Sequence, residues 1–130
     1  MKAFFKAIMD RFAAGQIAAS VSDLYNTEAK PSAVFPYIVF SVDNNQDWTF
    51  TEQFEDFAVQ FDIYSDTPSV EEVSDIFDLL TSCYDFVDLT ITGYQPISMQ
   101  RENSRLIKWD VEGKLVWNWS VTYKVKIQKN

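Results

Sequence analysis

Five carboxylates, Asp43, Asp47, Glu52, Glu55 and Asp56, gather in one short stretch of the chain. Carboxylates brought together in this way can hold Ca²⁺ or share general acid and base work. The spacing contains no Asp-x-Asp-x-Asp-Gly pattern, and the whole chain has only three glycines, so a solvated, charge-rich loop is the plainer reading. Asp85 and Asp88 read as polar punctuation between a helix and a strand. Nucleophilic chemistry has little to work with. There is no histidine, which removes Ser-His and Cys-His pairs and most zinc sites and leaves only carboxylate chemistry. The lone Cys83 falls near the C-terminal end of an expected helix, where the dipole raises a thiol pKa. No Gly-rich phosphate loop occurs. Trp109, Trp117 and Trp119, with Arg101, Arg105, Lys108 and Lys114 nearby, could stack on sugars or bases. Trp117 and Trp119, however, share one strand face with Leu115 and Val121, which favours core or interface packing. No catalytic, cofactor-binding or metal-binding residue is therefore assigned, and no enzyme activity is expected.

The elements that would position these residues follow from periodicity. Phe5, Ile8, Met9 and Phe12 form one helical stripe and predict a helix from about Lys2 to Ala14, with Gly15 at its C-terminal cap. Ile17, Val21, Leu24 and Tyr25 also have helical spacing, and residues 17–25 read equally as a short helix or as an irregular lead into the sheet. Residues 37–42, after Pro36, are a short β-rich run ending in a polar turn. Residues 57–64 alternate cleanly, with Phe57, Val59, Phe61 and Ile63 on one face. Residues 48–53 alternate too, as a further antiparallel strand. A helix then begins around Thr67 and Pro68, or slightly later through a Ser69–Glu72 capping box, and runs to Tyr84 on a stripe of Val70, Val73, Ile76, Phe77, Leu80 and Tyr84. Val87, Leu89 and Ile91 alternate as the start of another strand, which Gly93 and Pro96 interrupt.

The strongest pattern comes last. Leu115, Trp117, Trp119, Val121, Tyr123, Val125 and Ile127 occupy every second position, a strand of about 13 residues and roughly 44 Å at ~3.4 Å per residue. Residues 105–111 supply its hairpin partner through the turn region 110–113. A hairpin of this length either curls strongly or projects past the core, and a projecting aromatic face needs another chain to cover it.

The chain has 130 residues, 47% of them hydrophobic and 16% aromatic. This suits a single domain spanning residues 1–130, rich in sheet and able to bury one core without staples. The net charge of −8 repels phosphates and anionic lipid, so neither specific nucleic-acid binding nor membrane association is expected. A lone cysteine and the lack of any long apolar segment suit a reducing cytoplasm. The expected fold is α+β: a mainly antiparallel sheet of four to six strands, two main helices on one face, and a long C-terminal β-hairpin.

The order of these pieces resembles the tail completion, or tail terminator and head-tail joining, proteins of long-tailed bacteriophages and prophages. The pieces are Pro36-Tyr37-Ile38-Val39-Phe40 after a loop with Glu28-Ala29-Lys30-Pro31, then Phe61-Asp62-Ile63-Tyr64-Ser65-Asp66 leading into a capped helix, and finally the alternating aromatic strand. The resemblance implies a homo-oligomeric ring, commonly a hexamer, that caps the tail tube and meets the head connector. It also implies a place in the virion tail after assembly in the bacterial cytoplasm, and brings no active site. The partners it implies are other copies of the chain, tail-tube proteins and head-connector proteins. Trp48, Phe50, Trp109, Trp117, Trp119 and Tyr123 are the candidate subunit-interface side chains. The alternative is a small-ligand or peptide-binding α+β module whose aromatic sheet face, opposite the helices, forms a pocket.

Overall fold

Alternation of apolar residues along four stretches of chain builds a sheet, and two amphipathic helices cover one of its faces. The structure, a computed structural model, describes residues 2–44 and 54–129. Helix α1 (Lys2–Ala14) leads through a 3₁₀ turn, Gln16–Ala19, to strands β1 (Leu24–Asn26), β2 (Tyr37–Asn44) and β3 (Phe54–Ser65). Helix α2 (Glu71–Tyr84) and the paired strands β4 (Tyr94–Val111) and β5 (Lys114–Lys129) follow. The five strands lie in the order β1-β2-β3-β5-β4. Only the β1–β2 pair is parallel. This is the expected α+β architecture, with β1 resolving the ambiguity of residues 17–25 as a 3₁₀ turn followed by a short edge strand.

Register shows which side chains share the covered face. Ile38 pairs with Ile63, Phe40 with Phe61, Val59 with Tyr123 and Phe57 with Val125, and all eight are buried. Rings tie the helices to this face: Phe4 stacks on Phe57 at 4.6 Å and Tyr84 on Phe61 at 4.6 Å. The helices are also tied to each other. The Tyr84 hydroxyl donates to the Ile8 carbonyl at 2.9 Å, and Arg11 Nε donates to the Cys83 carbonyl at 2.9 Å. Burial pushes the Tyr84 hydroxyl pKa well above its ordinary value, so the phenol stays a donor. Burial also raises the Cys83 thiol, against the opposing pull of Arg11.

Three local expectations are corrected. The buried stripe of α1 is Phe4, Ala7, Ile8 and Phe12, because the stack on Phe57 selects Phe4 over Phe5, and Met9 turns outward. Helix α2 starts at Glu71, after the proposed caps. Thr67 donates to the Ser69 carbonyl, Ser69 Oγ accepts from the Glu71 N–H, and Glu72 accepts from the Ser65 hydroxyl at 2.7 Å. These polar groups thus tighten the loop ahead of the helix. Residues 87–91 form no strand. Leu89 and Ile91 are buried while Asp88 and Thr90 are exposed, so alternation here records anchoring to the core without ladder pairing. The expected strand at residues 48–53 lies outside the described residues.

The C-terminal hairpin is longer than its sequence periodicity suggested. Its connection is a two-residue turn in which Glu112 and Gly113 both have positive φ, 53° and 80°, the I′ geometry that matches strand twist. Register shifts between Pro96 and Ser98 and between Arg101 and Asn103 bend β4. Strand β3 pairs with β5 only as far as Ser65 opposite Trp117, so the tip of the hairpin passes beyond the rest of the sheet.

Candidate functional site

The hairpin carries different chemistry on its two faces. On the helix side, Trp119 stacks on Phe77 at 4.1 Å and 14°. Arg101 lies over the same Phe77 ring at 5.5 Å, and Lys108 over Trp117 at 5.3 Å. Trp117 and Trp119 are half-buried in this stack, and neither indole N–H finds an acceptor among the described residues. Leu106, directly opposite Trp119, remains 39% exposed.

On the open side of the sheet, strand pairing assembles an aromatic cleft. Tyr37 lies opposite Tyr64 and Trp109 opposite Val116. Together with Phe35 these residues line a cleft of about 650 Å³, which Lys114 and Glu112 complete at the turn. Tyr37 packs on Tyr64 at 5.2 Å and on Phe35 at 5.1 Å. Lys114 sits over the Phe35 ring at 5.2 Å and pairs with Asp66 at 3.2 Å. The Tyr37 and Tyr64 hydroxyls have raised pKa values, mainly through burial; the neighbouring Tyr25 adds to the first and the Asp62 carboxylate to the second. Both are neutral at physiological pH, so the cleft is an apolar surface with polar tips. Farther along the same face the chemistry turns polar: Asp62 accepts from Gln60, Asn118 and Ser120.

The candidate contact residues therefore separate. Trp109 is on the open face and 49% exposed, whereas Trp117 and Trp119 are on the helix face. Tyr123 belongs to the chain's own core. It is fully buried, its ring meets Phe61 edge-on at 5.9 Å, and its hydroxyl donates to Asp85 at 2.5 Å. Trp48 and Phe50 lie outside the described residues. A pocket on the aromatic sheet face opposite the helices was the alternative expectation, but its lining residues were not named, because Phe35, Tyr37 and Tyr64 meet Trp109 only through the order of the strands. The one legible sign was Tyr64 on the non-core side of its alternation.

Among the described residues, no three carboxylate or thiol groups gather where they could hold a metal ion, and no helix is long and apolar enough to cross a membrane. Asp85 caps the end of α2, receives the Tyr123 hydroxyl and pairs with Arg101 at 3.5 Å, which is a structural arrangement.

No protein-family model matches the sequence, and no curated protein matches it. The fold does have a solved counterpart. A chain from the virion of a native gene transfer agent particle is similar over 95% of this chain and 92% of its own length, with a TM-score of 0.75 and 12% sequence identity.

Proposed function

We propose that this chain is a structural protein of a phage or prophage virion, acting without catalysis as one subunit of a ring at the head-proximal end of the tail. There it would end the tail tube and meet the head connector. The observation that carries this reading is the likeness to a chain of a gene transfer agent virion across almost the full length of both chains. The order of sequence pieces that resembles tail completion proteins supports it independently. So does the hairpin tip, which presents Leu106, Trp109 and Leu115 to solvent and suits a subunit whose neighbours cover it. The hexameric count comes from the resemblance alone.

The test is removal of the gene from the phage or prophage that encodes it, with the protein restored from a plasmid. Electron microscopy is expected to show filled heads separated from tails of irregular length, and restoration is expected to return joined, infectious particles. Joined particles of normal tail length without the protein would overturn the reading. A second reading, a small-ligand or peptide-binding module, is favoured by the aromatic cleft, which has the size and apolar lining of a ligand site.

A further inference from the structure

We propose that Phe86 of one copy seats in the aromatic cleft of the next, joining copies head to tail. The inference rests on the ring reading and adds to it the side chains that make the joint.

Phe86 is costly where it stands in a lone chain. It follows the end of α2, is 77% exposed, and holds a φ of 56°. A bulky aromatic residue is disfavoured in left-handed backbone, and leaving its ring in water forgoes the burial that most Phe side chains gain. Strain of this kind persists where neighbouring contacts impose it. Here the Phe86 N–H donates to the Met99 carbonyl of β4 at 2.9 Å, and the preceding Asp85 N–H donates to Thr81 at 2.8 Å. The chain is thereby fixed in a turn that aims the ring away from its own core.

The cleft cannot be filled by the same chain's Phe86. Met99, where Phe86 is bonded, lies opposite Val125, while the cleft wall Trp109 lies opposite Val116. Nine positions along β5 separate the two, roughly 30 Å at about 3.4 Å per residue. A knob at one end and a hole at the other make a heterologous contact, the kind that closes into rings when its rotation permits.

Charge at the joint is balanced. Glu112 and Lys114 both line the cleft, Lys114 is paired with Asp66, and Asp85 beside the knob is paired with Arg101. The seat therefore selects an uncharged aromatic ring, which Phe86 of a second copy supplies.

Sedimentation of the purified full chain across a range of concentrations tests this with two variants. Phe86→Gly removes the knob and relieves the backbone; Trp109→Ser opens the wall of the cleft. Wild type is expected to self-associate, and each variant to do so at least about tenfold more weakly, the loss from failing to bury one aromatic side chain. An equal mixture of the variants is expected to form a dimer and stop there, because Phe86→Gly keeps an intact cleft and Trp109→Ser an intact knob. Thermal melting of Phe86→Gly at or above the wild-type temperature shows that the fold is kept.

Association of Phe86→Gly equal to wild type overturns the joint and leaves the ring reading to the gene-removal experiment. A wild type that stays monomeric to millimolar concentration overturns it too. Anilinonaphthalene sulfonate is expected to bind associated wild type less than Phe86→Gly. Equal binding to both, without association, overturns the joint in favour of a small-ligand occupant.

Discussion

The C-terminal hairpin passes through two environments, and its near and far halves behave as different materials. In the near half, Met99, Val121, Tyr123, Val125 and Ile127 are buried between the sheet and the helices. In the far half, Leu106, Trp109 and Leu115 are exposed, although β5 alternates there in the same way. What differs is the cover. Strand β3 ends at Ser65 opposite Trp117, and helix α2 reaches the hairpin through Phe77 on Trp119. Periodicity therefore settles which side chains share a face, while the lengths of other elements settle which of them leave water.

This contrast can be broken or sharpened by substitution. Tyr123→Ala in the near half removes a fully buried ring and is expected to cost about 3–5 kcal/mol, read as a lower midpoint in guanidinium unfolding. A cost as small as that of a surface change would mean the near half is not held by the core.

Alkaline pH probes the same half. The Tyr84 and Tyr123 hydroxyls are both raised above their ordinary value of 10.0, in each case chiefly by burial, with the Asp85 hydrogen bond second for Tyr123. In this range the folded chain holds protons that the unfolded chain releases. Their contribution is complete below pH about 10 and is lost as pH rises above it. Unfolding midpoints are expected to fall above that pH, and to fall less steeply in the Tyr84→Phe, Tyr123→Phe double variant. An equally steep fall in the variant would assign the effect to other groups.

Tyr123→Phe alone keeps the ring and deletes the hydroxyl bonded to Asp85, at an expected cost of about 1–2 kcal/mol. In the far half, Trp109→Ala is expected to change unfolding free energy by under about 1 kcal/mol while weakening association. A loss matching that of Tyr123→Ala would erase the distinction between the halves.

Much of this fold was legible in the sequence because its strands and helices carry strong periods. Phe57 to Ile63 and Val121 to Ile127 face the core as their alternation requires, and α2 ends at Tyr84 as expected. The expected strand at residues 87–91 failed because Leu89 and Ile91 bury without pairing, and alternation reports burial only. The candidate site was less legible. Trp109 parts from Trp117 and Trp119 because the two-residue Glu112–Gly113 turn fixes the parity between the two strands, and sequence alone left that turn length open. Tyr37 and Tyr64 join Trp109 through strand order, a property of no single segment. Phe86 gave no signal, since nothing in a phenylalanine encodes a left-handed backbone.

The strand order carries one more consequence, for the chain as it is made. Strand β5 follows every other element described, yet lies between β3 and β4 in the sheet. During synthesis the middle of the sheet is therefore filled last, and until then β3 has one unpaired edge and β4 has no neighbour to hold it. Open strand edges invite pairing with other chains. A nascent chain would thus be vulnerable to wrong partners, and its far hairpin takes shape at the same moment that β5 closes the open edge of β3.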